Sequence, residues 1–143
     1  MAAFGPLDVL VANAGFPILK SVDQGTPADL DRAFRGNLYS VFALVQSAAP
    51  LFAASPFARV VAVGSVTSHV FRTDMRPFPM LVASKSALET AVQSFALHFG
   101  PTGATFNCVV PGWTEKDGGT RDAVPESELA QNTAHPARAH RQT

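Results

Sequence analysis

The sequence predicts an α/β fold: one parallel β-α-β-α-β unit of a doubly wound sheet, with three strands and two main helices. Three short apolar runs carry the strand assignment: Leu7 to Ala14, Arg59 to Gly64 and Ala104 to Val110. Each is rich in Val, Leu or Ala, is bounded by Gly, Pro or Asn, and does not alternate polar with apolar. Runs of that kind read as parallel strands buried on both faces. Two longer segments with helical spacing separate them, and that alternation is the pattern of a parallel sheet with helical crossovers, expected to be right-handed. At 143 residues and 47% apolar content, the chain is the size of one domain and can build a core.

The first strand opens without a basic segment, and Asp8 interrupts its apolar run, so it does not read as a signal peptide. It closes on Asn13-Ala14-Gly15. The first helix begins at Thr26-Pro27, a cap residue followed by proline at the first helical position. It runs through Leu30, Phe34, Leu38, Phe42 and Val45 to about Phe52, with Gly36-Asn37 and Pro50 as expected irregularities. The second strand ends in Val63-Gly64-Ser65, and a loop from Thr67 to Phe78 follows. The second helix begins near Pro79 and passes Ala83, Ala87, Ala91 and Phe95 to Phe99, where Gly100-Pro101 stops it. Its small residues at i, i+4 allow close approach to a sheet or a partner helix. The third strand runs into Pro111-Gly112-Trp113-Thr114. Beyond it the chain turns polar and Gly/Pro-punctuated. We expect a domain over residues 1–117 and an irregular or disordered tail over 118–143, with at most a short helix near Pro125 to Gln131.

Lys plus Arg equals Asp plus Glu at 11 each, which gives no reason to expect a nucleic-acid partner or an acidic membrane surface. No apolar stretch reaches the roughly 18 residues of a membrane span. Cys108 is the single cysteine, and the four histidines show no ligand spacing, so no metal site is expected and a reducing, cytoplasmic setting is the default.

Taken singly, the polar residues have ordinary explanations. Asn13-Ala14-Gly15 and Pro111-Gly112 are strand-ending turns. Asn37 is a poor mid-helix residue beside a destabilising glycine. Ser65 is a solvated strand end, Lys85 a helix charge and Trp113 a packing residue. Their order is less ordinary. Asn-Ala-Gly ends a strand, Asn37 lies in a helix and Ser65 ends the next strand. The second helix then carries Leu81-Val82-Ala83-Ser84-Lys85, and Pro-Gly ends the third strand.

In this order and placement the chain, over roughly residues 1–117, resembles the short-chain dehydrogenase/reductase family, whose fold is Rossmann-like. The resemblance implies NAD(P)-dependent alcohol oxidation or carbonyl reduction on a small-molecule substrate. The family signature is Tyr-x-x-x-Lys, and here Leu81 stands at the tyrosine position. That tyrosine is the general acid or base of hydride transfer; its phenol, near pKa ~10, needs a neighbouring cation to work. Lys85, one turn later on the same helix face, would bind the nicotinamide ribose and lower the tyrosine's pKa. Ser65 would hydrogen-bond the substrate carbonyl. Asn37 would support a helix distortion and a proton relay to the lysine. Asn13, Ala14 and Gly15 would meet the cofactor ribose, and Pro111, Gly112 and Thr114 the nicotinamide, with Trp113 lining the pocket.

The family's glycine-rich pyrophosphate loop has no counterpart before Leu7, so the resemblance begins at the family's fourth strand and the chain reads as truncated at both ends. Both helices would cover one sheet face, leaving the other bare and the first strand's edge open. Three readings follow: an oxidoreductase inactive as this chain alone, a non-catalytic association module, or a degraded fragment. A homo-oligomer or an aggregation-prone chain is expected in each.

Overall fold

The computed structural model describes residues 7–52, 54–73 and 76–112. Three strands, β1 (Val9–Ala12), β2 (Arg59–Val63) and β3 (Thr105–Val109), form one sheet in the order β1-β2-β3. Both pairings are parallel, with Val9 opposite Arg59 and Arg59 opposite Thr105. The helical crossovers are α1 (Pro27–Phe34), a π-helical segment (Arg35–Tyr39) and α2 (Ser40–Phe52) between β1 and β2, then α3 (Pro79–Phe99) between β2 and β3. This is the partial doubly wound, Rossmann-like unit expected.

Local chemistry sets the helix limits. Thr26 accepts from Asp29 N at 3.2 Å, and Asp29 Oδ2 accepts from Thr26 N at 3.1 Å, a reciprocal cap that satisfies two orphan donors. Hydrogen bonds from Lys20 and Thr26 hold the Asp29 carboxyl down to about 2. Pro27 and Pro79 occupy first-turn positions, where a missing N–H costs nothing. Pro50 falls in the last turn of α2 and does not end it; the helix continues to Phe52. After α3 a short 3₁₀ turn (Gly100–Thr102) leads to Gly103, whose φ of 82° is the left-handed conformation that favours glycine.

The helices pack on one face of the sheet. Phe52, Val60, Ala62, Leu88, Val92 and Phe106 are buried there in one cluster. Phe106 stacks on Phe99 at 5.2 Å and meets Phe52 edge-on at 5.8 Å. The row of the first crossover that faces inward is Ala33, Asn37, Val41, Val45, Ala48 and Phe52. The expected row of Leu30, Phe34, Leu38 and Phe42 is therefore one position out of phase, while Val45 and Phe52 fall on both. The offset is already present in α1, where Ala33 is buried and Leu30 exposed, and it continues through the π-helical segment to Phe42, which is also exposed. On α3 the buried row is Met80, Ser84, Lys85, Leu88 and Val92, while Ala83 is exposed and Ala87 and Ala91 are half-buried.

Among the described residues, no helix covers the other face of the sheet. Val9, Val11 and Val109 are 54%, 58% and 52% exposed there, beside Arg59, Thr105 and Asn107, so only β1 is apolar on both sides along its length. No helix among the described residues is long and apolar enough to cross a membrane. The expected domain boundary at 117, the short helix near 125–131 and the tail lie outside the described residues, as do Trp113 and Thr114.

Candidate active site

The polar residues singled out in the sequence gather at the carboxyl ends of the three strands, where ligands bind in open parallel sheets. Asn37 is the hub. It is 0% exposed and sits within the π-helical segment. Its Oδ1 accepts from Phe16 N at 2.8 Å, and its Nδ2 donates to Phe16 O at 3.0 Å and to Ser84 Oγ at 2.9 Å. Ser84 Oγ in turn donates to Leu81 O at 3.0 Å. One amide thus ties the loop after β1 to α3. The helix distortion expected at Gly36-Asn37 is present, and Ser40 Oγ donates to Gly36 O at 2.8 Å within it.

Asn13, Ala14 and Gly15 follow β1 and are exposed. A Cβ at Gly15 would stand 3.1 Å from Lys85 Nζ and 3.3 Å from Asn37 Oδ1. Glycine here is what lets the backbone pass close over the lysine. Lys85 is 7% exposed, and its Nζ donates to Val63 O at 2.6 Å. Burial pulls the ammonium below the ordinary lysine value; Cys108 and Glu89 act in the opposite direction. The Cys108 thiol is pushed up, first by its own burial and then by Glu89.

Ser65 caps a 3₁₀ turn (Val66–Ser68). Its hydroxyl pairs with Thr67 Oγ1 at 2.8 Å and accepts from Thr67 N at 3.3 Å. Val66 N donates to Pro111 O at 3.2 Å, which brings the Pro111-Gly112 turn beside the serine. Leu81 is half-buried one turn before Lys85 and offers no ionisable atom. A cavity of about 370 Å³ lies between the loop after Ser65 and the start of α3, with Thr67, Val70, Phe71, Phe78, Val82 and Ala83 in its wall. Part of the expected loop thus forms a cavity wall, and Gly15, Asn37, Ser65 and Lys85 are not in that wall.

The structure brings Gly15, Asn37 and Lys85 into contact distance and sets Ser65 two residues beyond the carbonyl that Lys85 holds. It does not pair the Ser65 hydroxyl with Lys85; that hydroxyl is engaged with Thr67. Sequence reasoning passed over Glu89. Its Oε1 accepts from Ser65 N at 3.3 Å and its Oε2 meets His69 Nε2 at 2.5 Å. The available signal was spacing: Glu89 is one turn after Lys85, on the same helix face.

A sequence profile of the family described as enoyl-(acyl carrier protein) reductase matches residues 1–142. The chain is 33% identical over 114 residues to the cyclic-di-GMP-binding biofilm dispersal mediator protein of Escherichia coli, covering 79% of this chain and 46% of that protein. It is 32% identical over 131 residues to the dehydrogenase OXI1 of Cochliobolus heterostrophus, covering 91% and 54%. An oxidoreductase of the short-chain dehydrogenase/reductase family from Burkholderia thailandensis superposes with a TM-score of 0.71 at 26% identity, covering 89% of this chain and 47% of that one. The chain thus spans about half the length of the curated relatives it matches.

Proposed function

The chain belongs to the short-chain dehydrogenase/reductase family, and from that premise we propose that it carries the ribose- and carbonyl-binding half of an NAD(P)-dependent oxidoreductase site, acting on a small-molecule alcohol or carbonyl compound in a cytoplasmic setting. The observation that carries this reading is the convergence of Gly15, Asn37 and Lys85 beside the Ser65 turn at the strand ends.

The residues fit the ribose end of a dinucleotide. An ammonium has three donor hydrogens, and Lys85 gives one to Val63 O, leaving donors for ribose hydroxyls beside a glycine with no side chain in the way. Asn13 and Ala14 flank that passage, and Pro111, Gly112 and Thr114 are assigned to the nicotinamide side. When bound, the nicotinamide supplies or takes up the hydride. The chain's own residues position and polarise. Ser65 Oγ offers a hydroxyl to the substrate oxygen, Asn37 holds the loop after β1 against α3, and Lys85 keeps a positive charge near the reacting end. Leu81 gives no proton at the tyrosine's place. We therefore assign this chain alone no carbonyl reduction, and only very weak NAD(P)H binding, because its sequence holds no glycine-rich pyrophosphate-binding motif of the family's kind.

The test is reconstruction. The chain is joined to an N-terminal half and a C-terminal segment of a family member, with Leu81 or with Leu81→Tyr, and NAD(P)H oxidation is followed on a panel of carbonyl compounds. The tyrosine version should exceed the leucine version by roughly 10²–10⁴-fold, the usual contribution of a general acid. Equal rates would overturn the tyrosine assignment and make His69 the next residue to mutate. Micromolar NAD(P)H binding by the chain alone would contradict the binding half of the reading.

A second reading, a non-catalytic association module, is favoured by the bare valine face and by the outward Phe42, Leu44 and Leu97 on the helices. The two readings share one physical consequence, pairing with another copy or another polypeptide.

A further inference from the structure

We propose that Glu89 and His69 form a pH-responsive clasp on the serine turn, making both of them positioning residues for the Ser65 hydroxyl. The inference rests on the role proposed above for Ser65. One carboxylate makes both contacts: Oε1 takes the Ser65 N–H at 3.3 Å, and Oε2 meets His69 Nε2 at 2.5 Å. Ser65 and His69 are the two ends of the 3₁₀ turn, so Glu89 closes that turn from α3, the helix that also holds Lys85.

The approach of the carboxylate depends on Gly64. A Cβ there would stand 2.5 Å from Glu89 Oε1 and 3.0 Å from Cys108 Sγ. Among the described residues, Lys85, one turn earlier on α3, and Cys108 on β3 also interact electrostatically with this carboxylate. The pair is asymmetric in exposure. The Glu89 side chain is 12% exposed and that of His69 54%, so the proton enters from solvent at the imidazole. With the imidazole protonated, the contact is a charge-assisted ion pair; with it neutral, an ordinary hydrogen bond remains. The clasp is therefore tighter when the imidazole is charged than when it is neutral. Ser65 Oγ, already fixed by Thr67, shares the backbone that the clasp restrains.

The test needs no enzymatic activity, so its failure is separable from failure of the assigned reaction. Amide hydrogen exchange of the full chain is read by mass spectrometry on a peptide spanning residues 61–72, and protection is corrected for the intrinsic pH dependence of exchange. Between pH 5.5 and 8, wild-type protection of Ser65 should fall several-fold. Glu89→Gln keeps an acceptor for Ser65 N but no charge, and should abolish that pH dependence. Glu89→Ala should speed exchange about tenfold at either pH, the worth of a hydrogen bond to a charged group. His69→Ala, at an exposed site, should remove the pH dependence even if Glu89→Ala fails to fold. A pH dependence that persists in both Glu89→Gln and His69→Ala overturns the clasp, as does unchanged Ser65 protection in a folded Glu89→Ala.

Discussion

The two faces of the sheet both carry valines and live in different surroundings, and the open one also carries Arg59, Thr105 and Asn107. On one face Val60, Ala62 and Phe106 are buried beneath α2 and α3. On the other Val9, Val11 and Val109 stand open to solvent. Burial of a valine or phenylalanine is favourable by roughly 1.5–3 kcal/mol, so the covered face holds this chain together and the bare face contributes almost nothing until something covers it. The candidate site belongs to the covered side, because Asn37, Ser84 and Lys85 are the inward row of the same helices.

The largest effects should come from the covered face. Phe52→Ala removes a ring that meets both Phe99 and Phe106 and should cost about 3–5 kcal/mol, enough to abolish a cooperative thermal transition in so small a fold. Asn37→Ala should follow at roughly 2–3 kcal/mol, because it strands the part-buried Phe16 backbone groups and the buried Ser84 hydroxyl; chemical denaturation reads it directly. A loss as small as that of an exposed residue would remove Asn37 as the hub.

Lys85 makes a prediction in pH. Burial lowers its folded-state value below 10.5, so between the folded value and 10.5 the unfolded chain binds more protons and stability rises with pH. Thermal melts should show that rise on the alkaline side, and Lys85→Met should flatten it. A wild-type melting temperature that falls through the same window would contradict the burial argument. The smallest effect belongs to the bare face: Val11→Thr should change stability by less than about 0.5 kcal/mol.

Residues with strong local chemistry made the fold legible in the sequence. Thr26-Pro27 and Pro79 set helix starts, and Gly100-Pro101 set a helix end, to within a residue of the structure. The strands were legible as apolar runs, yet the runs looked alike on both faces and could not say which face was covered. That followed only from where the family places its helices. Helix phase was not legible, because the small Ala33 and the polar Asn37 take the inward row of the first crossover while the larger Leu30 and Phe42 stand exposed. In the site, the motif residues could be located because their order is distinctive. Glu89 could not, since a helix glutamate is ordinarily a solvated charge and only the fold sets it against Gly64 and Ser65.

Sedimentation velocity over a range of concentrations tests most directly whether the bare face governs this chain's behaviour. The wild-type chain should associate with rising concentration and bind a hydrophobic dye, and the triple change Val9→Thr, Val11→Thr, Val109→Thr should reduce both while leaving the melting temperature nearly unchanged. A stable, monodisperse wild-type monomer that binds no dye would contradict it.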